Sequence, residues 1–201
     1  RELDKKVVFV STDYVFGLDT TRDKPYVESD PVAPLNVYGA SKAAGEMMVR
    51  IANDNHLIVR TSSLYGAVTS KKGWTFPEMI YQKARAGEPL KVVNDQIMSP
   101  TYTSDLVMKI LGYLGKDARG TFHIVGGGQC SWYDLACKTL QLLDIDCDIE
   151  PISSSSFPTK AKRPKYSVLD SMHFARYEIK PPRPWQNALE EYLKEKGELQ
   201  L

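Results

Sequence analysis

The sequence lacks a surplus of charge of either sign. Its 201 residues include 26 lysines and arginines and 25 aspartates and glutamates, so the formal net charge at pH 7 is +1. Proteins that bind nucleic acid usually carry a basic surplus on one face. The charge balance therefore argues against a nucleic-acid partner and favours a protein that handles small molecules.

Long apolar runs are also missing. The longest, such as residues 6–10 and 57–59, have the length of a strand. A helix that crosses a bilayer needs roughly 20 apolar residues, and no signal-peptide pattern is visible. We therefore expect no membrane association and a cytoplasmic location.

Cysteine is scarce. Cys130, Cys137 and Cys147 form no C-x-x-C pair, and the three histidines do not cluster with them. Metal sites built from these residue types need several ligands at close spacing. We predict reduced thiols and no metal site.

Two apolar segments predict a parallel pair of strands. Residues 5–12 (KKVVFVST) and 57–66 (LIVRTSSLYG) read as buried strands, and residues 36–53 between them read as a helix. A strand, a crossover helix and a second strand form a parallel unit. Ligands gather beyond the carboxyl ends of such strands, so the polar turns 11–13 and 61–63 should lie on the ligand edge.

The rest of the chain predicts a smaller mixed lobe. Helices are expected at 77–86, after a cap at Thr103 or Ser104, at 132–143 and at 183–196. Ser131 and Asp134 form a capping box at the start of the third of these helices. Strands are expected at 90–94 and 120–126, and a loop at 151–164. The predicted fold class is α/β, the C-terminal part of a doubly wound parallel sheet with this second lobe. We place the boundary between residues 67 and 68, and expect some segments of 68–201 to return to the sheet.

Tyr38 and Lys42 stand four residues apart in the first predicted helix. Residues at this spacing share one helix face. An ammonium close to a phenol stabilises the phenolate, so the phenol gives up its proton more readily. Such a phenol suits the role of proton donor at neutral pH. With the hydroxyl of Thr12 at the preceding strand end, the pair could protonate a carbonyl oxygen. By itself the spacing is weak evidence, because a tyrosine and a lysine four residues apart occur by chance in many helices.

Several segments resemble the dTDP-4-dehydrorhamnose reductase family of extended short-chain dehydrogenase/reductases. The resemblance runs through VSTDYVFG, VYGASKAAGE, RTSSLYG, VVNDQIMSPTYTSDL and RPWQNALEEYL, and it implies a Rossmann-type sheet. It also implies that Thr12, Tyr38 and Lys42 are catalytic in reducing the 4-keto group of a dTDP-sugar with NADPH or NADH. Lys42 would hydrogen-bond the nicotinamide ribose. The site residues then expected are Tyr38, Lys42, Ser11, Thr61 and Ser62 for the cofactor, and Asp13, Tyr14, Val15, Ser63, Tyr102 and Arg163 for the substrate.

The sequence departs from the family pattern in two ways. Ser63 stands where the family has a tryptophan beside the sugar, and no Gly-rich phosphate loop precedes residue 5. The run 126–128 lacks the G-x-G-x-x-G spacing and an acidic partner. We therefore expect an N-terminally truncated chain that binds cofactor poorly alone and leaves one sheet flank unpaired, which would favour a homodimer.

The sequence also bears on alternative functions. The related dehydratases have a glutamate where this chain has Tyr14, so elimination chemistry is not expected. A nucleotide-sugar epimerase and a non-catalytic relative that binds a partner both stay open.

Four other residues have expected roles. Arg163 suits either binding to a diphosphate or a place in a solvated loop. Arg60 is expected in an internal ion pair, and Trp132 and Trp185 are expected in the core.

Overall fold

The computed structural model describes residues 5–68, 73–157 and 159–199. In chain order its elements are β1 (Val7–Thr12), a 3-10 turn (Asp13–Val15), α1 (Val37–Ala52), β2 (His56–Thr61), β3 (Leu64–Tyr65), α2 (Phe76–Arg85), β4 (Leu90–Val93), β5 (Ile97–Met98), β6 (Thr101–Tyr102), α3 (Thr103–Gly115), β7 (Gly120–His123), β8 (Cys130–Ser131), α4 (Trp132–Leu142), β9 (Ile149–Ile152), a 3-10 turn (Ser154–Ser156) and α5 (Trp185–Glu195).

A parallel sheet with the order β1-β2-β7, with α1 and α3 packed on it, forms one half of the molecule, the first half. Its register sets Thr12 opposite Thr61 and Arg60 opposite His123, so the two polar turns leave the sheet side by side. The crossover helix α1 begins where the Asn36 side chain accepts a hydrogen bond from the Gly39 amide. The predicted parallel crossover is confirmed, and β7 shows that a segment beyond residue 68 returns to this sheet.

The first strand is less buried than predicted. Val7, Val8 and Val10 are 38%, 40% and 43% exposed, whereas Leu57, Ile58 and Val59 of β2 are fully buried. Within the described ranges β1 pairs only with β2, so one edge and part of both faces of β1 stay open. The expectation of a fully buried strand is wrong for this reason.

Two hydrophobic clusters lie at this sheet and beyond its carboxyl edge. Leu57 and Val59 pack with α3 and β7 in one cluster, while Val15, Phe16, Tyr26 and Leu169 form another. On the α1 side, the ring of Phe9 fills the space beside Gly45, where an added Cβ would lie 2.6 Å from it. The small residues of α1 therefore let the helix approach the sheet closely.

The second half joins α2, α4 and α5 with the strand pairs β4-β9 and β5-β8. The predicted capping box of Ser131 and Asp134 is confirmed, and α2 has another formed by Thr75 and Glu78. Tyr102 precedes α3 without a side-chain cap bond, so the predicted Thr103 or Ser104 cap is wrong. The loop predicted at 151–164 starts inside β9, because residues 149–152 pair with β4.

The remaining structural expectations concern Trp185, Trp132 and the cysteines. Trp185 is 5% exposed and belongs to the core of the second half, as predicted, whereas Trp132 is only partly buried. Cys130, Cys137 and Cys147 are free thiols. None of the helices in the described part of the chain is long and apolar enough to cross a membrane.

Candidate active site

The two polar turns meet at the carboxylate of Asp13. Ser62 donates a hydrogen bond of 2.9 Å to Oδ2 of this carboxylate, and Thr12 donates one of 3.0 Å to Oδ1. Burial raises the pKa of Asp13, while hydrogen bonds from Ser167, Ser62 and Thr12 act in the opposite direction. Three hydroxyl groups therefore hold a buried carboxyl group at the end of β1.

Tyr38 and Lys42 lie on α1 beside this strand end. Tyr38 is 52% exposed, and its ring contacts that of Tyr14 edge to face, with 6.2 Å between ring centroids. The Lys42 ammonium donates a hydrogen bond of 2.8 Å to the Val10 carbonyl oxygen and lies 4.9 Å from the centroid of the Phe9 ring. The phenol is thus accessible to a ligand, and the lysine is fixed to the strand that ends at Thr12.

The hydroxyl of Thr12 is engaged locally. Besides donating to Asp13, it accepts a hydrogen bond of 3.2 Å from the Tyr14 amide and so caps the 3-10 turn. Thr12 itself is 7% exposed. Tyr14 is partly buried, and burial, followed by the charge of Asp13, raises its pKa to about 12. At neutral pH Tyr14 is therefore a neutral hydrogen-bonding group.

A narrow cleft with a volume of about 10 Å³ lies between this strand end and the second half of the molecule. It is lined by Asp13, Tyr14, Ser63, Gln96, Ile97, Met98, Trp132, Arg163, Pro164 and Ser167. Four predicted substrate residues, Asp13, Tyr14, Ser63 and Arg163, are therefore brought together. The guanidinium of Arg163 is exposed, and no acidic partner forms a salt bridge with it in the described ranges.

Three predicted site residues point elsewhere. Val15 is fully buried in the core with Phe16. Tyr102 is 3% exposed, stacks on Tyr65 and donates a hydrogen bond to Glu195. The Ser11 hydroxyl donates to Glu46 at 2.6 Å. These side chains are committed to packing or to internal hydrogen bonds, which corrects their expected roles at the site.

Thr61 and Ser62 have different surroundings. Both are buried, and the Ser62 hydroxyl is used by Asp13, as described above. The Thr61 hydroxyl is buried with no hydrogen-bond partner among the described residues. Thr61 therefore offers an unused polar atom at the carboxyl end of β2, next to Thr12 in register.

Sequence reasoning missed Ser167, Gln96 and Trp132 as parts of the cleft. The antiparallel pairing of Ile97 with Ser131 brings the last two together, and no local pattern signals this pairing. A separate cavity of about 230 Å³ lies between α3 and residues 180–183, and it contains none of the predicted site residues.

A buried ionic network supports α1 beneath the site. Glu46 accepts hydrogen bonds from Arg60 Nε and Nη2 at 2.9 and 2.7 Å, and one from Arg50 at 3.0 Å. Burial raises the pKa of Glu46, but the hydrogen bonds and charge of Arg60, with help from Ser11 and Arg50, outweigh it and lower the pKa overall. The internal ion pair predicted for Arg60 is confirmed.

Comparison with known proteins agrees with this geometry. A parallel sheet whose carboxyl edge meets a Tyr-x-x-x-Lys helix is the architecture of the Rossmann-type short-chain dehydrogenase/reductases. The sequence model of the RmlD substrate binding domain matches residues 1–197. The chain belongs to the RmlD substrate binding domain family.

Relatives with described roles share about a third of the sequence. The chain is 38% identical over 190 residues to the spore coat polysaccharide biosynthesis protein SpsK of Bacillus subtilis, covering 94% of this chain and 64% of that protein. It is 36% identical over 191 residues to dTDP-4-dehydrorhamnose reductase of Mycolicibacterium smegmatis, covering 94% of this chain and 57% of the reductase. The chain therefore spans less than two thirds of the length of these relatives.

Solved structures show the same fold. The dTDP-4-dehydrorhamnose reductase of Bacillus anthracis in complex with NADP superposes with a TM-score of 0.90 at 34% identity, covering 97% of this chain and 67% of that one. The dTDP-glucose 4,6-dehydratase of the same organism gives a TM-score of 0.77 at 20% identity, covering 94% of this chain and 60% of that one. The second likeness concerns the fold alone.

Proposed function

We propose that the complete protein reduces the 4-keto group of dTDP-4-dehydro-L-rhamnose to give dTDP-L-rhamnose, with NADPH or NADH as the reductant. One observation carries the proposal: the exposed phenol of Tyr38 stands beside a cleft that contains Asp13, Ser63 and Arg163, and no described acidic residue forms a salt bridge with Arg163. Relatives at 35–37% identity are named as reductases of 4-keto dTDP-sugars, which supports the same chemistry here.

Each residue of the site has a role in this proposal. Tyr38 donates a proton to the carbonyl oxygen as it becomes a hydroxyl, and the fixed ammonium of Lys42 stabilises the phenolate that remains. Thr12 turns its hydroxyl proton from Asp13 to the carbonyl oxygen and so orients the carbonyl. Asp13 and Tyr14 hold the sugar by hydrogen bonds, and the planar guanidinium of Arg163 pairs with the diphosphate.

The described residues suit the nicotinamide ribose end of the cofactor. The exposed Tyr38 hydroxyl and the two remaining protons of the Lys42 ammonium provide hydrogen-bonding atoms at this sheet edge. When bound, the cofactor supplies the hydride that is added to the carbonyl carbon. Backbone amides of a Gly-rich loop, which would hold its pyrophosphate, are not provided by this sequence.

Replacing Tyr38 with phenylalanine in the complete protein tests the proposal. Loss of the proton donor should lower kcat by about a hundredfold or more, while the Kd for dTDP-L-rhamnose measured by calorimetry stays nearly the same. Tyr133→Phe on α4, which lies outside the cleft, is the matched control and should leave both values unchanged. Unaltered turnover in Tyr38→Phe would remove Tyr38 from the reaction.

The alternatives have less support. A Thermus thermophilus UDP-glucose 4-epimerase is 16% identical to the chain, and this likeness concerns the fold alone. A non-catalytic role does not account for an exposed Tyr38 beside the cleft.

A cytoplasmic location fits the free thiols. A homodimer through the open edge of β1 stays a prediction, which sedimentation of the chain would check.

A further inference from the structure

The ammonium of Lys42 is held from two directions by one strand. It donates a hydrogen bond of 2.8 Å to the carbonyl oxygen of Val10, and it lies 4.9 Å from the centroid of the Phe9 ring. A cation within about 6 Å of the face of an aromatic ring is attracted by the electrons of that ring. Two consecutive residues of β1 therefore fix the position of a charge that α1 carries.

The Phe9 ring is itself packed against α1. Its Cζ atom, at the tip of the ring, points at Gly45, where an added Cβ would lie 2.6 Å from it. The ring is partly buried. A side chain at residue 45 would displace the ring, so the glycine allows Phe9 to lie against the helix that carries Lys42.

A lysine needs such support because its charge sits at the end of a flexible four-carbon stem. Without contacts the ammonium would exchange among many rotamers. In the proposed reaction this ammonium stabilises the phenolate that Tyr38 becomes, and the strength of that attraction depends on the distance between the two charges. The ammonium must therefore stay in one place while the proton is transferred.

We infer that Phe9 is a positioning residue, whose ring holds the Lys42 ammonium where it stabilises the phenolate of Tyr38. The inference rests on the proposed function, because that function gives Lys42 its role. Phe9 is not among the residues that line the cleft, so it acts on the reaction through Lys42.

Steady-state kinetics of the complete protein with dTDP-4-dehydro-L-rhamnose tests this role. Phe9→Leu keeps an apolar side chain beside α1 but removes the ring, and we expect kcat to fall about threefold to tenfold. The KM for the sugar nucleotide should stay within about twofold of its original value, because the lost interaction acts on the chemical step. Val8→Leu, on the opposite face of β1, is the matched control and should change neither value.

A phenylalanine with fluorine at both meta positions separates the electronic role of the ring from its packing. The shape of this ring is nearly the same, while fluorine withdraws electrons from the face that attracts the ammonium. At residue 9 it should lower kcat about twofold to threefold and leave the free energy of unfolding in urea unchanged. An unchanged kcat would overturn the inference even if Phe9→Leu were slower, because packing alone would then explain the slower variant.

The Tyr38→Phe variant distinguishes a failure of the inference from a failure of the proposed function. If Tyr38→Phe loses turnover while both changes at residue 9 leave kcat unaltered, the inference is wrong and the proposed function stands. If the original protein does not reduce the sugar nucleotide, the proposed function is contradicted, and the inference with it.

Discussion

Replacing Glu46 with glutamine removes an anion that three elements share. Its carboxylate accepts hydrogen bonds from Arg60 on β2, from Ser11 on β1 and from Arg50 on α1 itself. The Glu46 and Arg60 side chains are only 1% and 3% exposed. Without the carboxylate, the guanidinium of Arg60 would be left buried with no opposite charge.

The expected loss of stability is large. Removing one partner of a buried ion pair typically costs about 3–5 kcal/mol, against a total free energy of unfolding of about 5–15 kcal/mol for a domain. Arg50, whose side chain is 40% exposed, contacts the same carboxylate from the surface. Arg50→Gln should therefore cost about 1 kcal/mol or less, and it serves as the matched control.

Urea denaturation followed by circular dichroism measures both changes. The double variant Glu46→Leu/Arg60→Met, which removes both charges, should recover most of the stability lost in Glu46→Gln. A loss below about 1 kcal/mol for Glu46→Gln would refute the reasoning, because such a value is typical of a solvated pair.

The pH dependence provides a second check of this network. The folded pKa of Glu46 lies below its usual value of 4.5, so the stabilisation is complete above pH 4.5 and is lost as the pH falls through the folded pKa. Glu46→Gln should lose less stability than the original chain as the pH falls below 4.5. An unchanged loss of stability in the variant over this pH range would mean that other carboxylates cause the loss.

Two other perturbations have clear expected results. Burial lowers the pKa of His123 from 6.5 to about 4. Between these two pH values the unfolded chain binds a proton at His123 that the folded chain does not, so the free energy of unfolding should fall by up to about 1.4 kcal/mol for each pH unit of acidification. His123→Asn should reduce this pH dependence in denaturation curves, and an unchanged slope would contradict the assignment. Gly39→Ala would place a Cβ 1.9 Å from the Tyr14 carbonyl oxygen, so thermal denaturation should show a loss of stability of about 1–3 kcal/mol. A Cβ at Gly115 would meet no neighbouring atom within 4 Å, so Gly115→Ala should not reduce the stability. Equal effects at the two glycines would refute the steric argument.

Local patterns predicted the elements that carry the site. The β-branched run that ends at Thr12 and the Asn36 start of α1 depend on neighbours within a few residues. The four-residue spacing of Tyr38 and Lys42 sets both on one helix face whatever packs nearby.

Long-range pairing decided which side chains share the cleft. Ser167 hydrogen-bonds to Asp13, and β5 pairs with β8 to bring Gln96 beside Trp132. These contacts join residues far apart in sequence, and no spacing rule predicts them. Trp132 was therefore expected in the core, although part of it lines the cleft.

The sequence by itself determined the strand ends, the crossover helix and the placement of Tyr38 and Lys42, because hydrophobic period and helix spacing act over a few residues. Only the tertiary structure decided that Val15 and Tyr102 turn inward and that Val7, Val8 and Val10 stay open. The physical reason is that burial depends on what packs against a side chain. In this fold those neighbours come from distant parts of the chain.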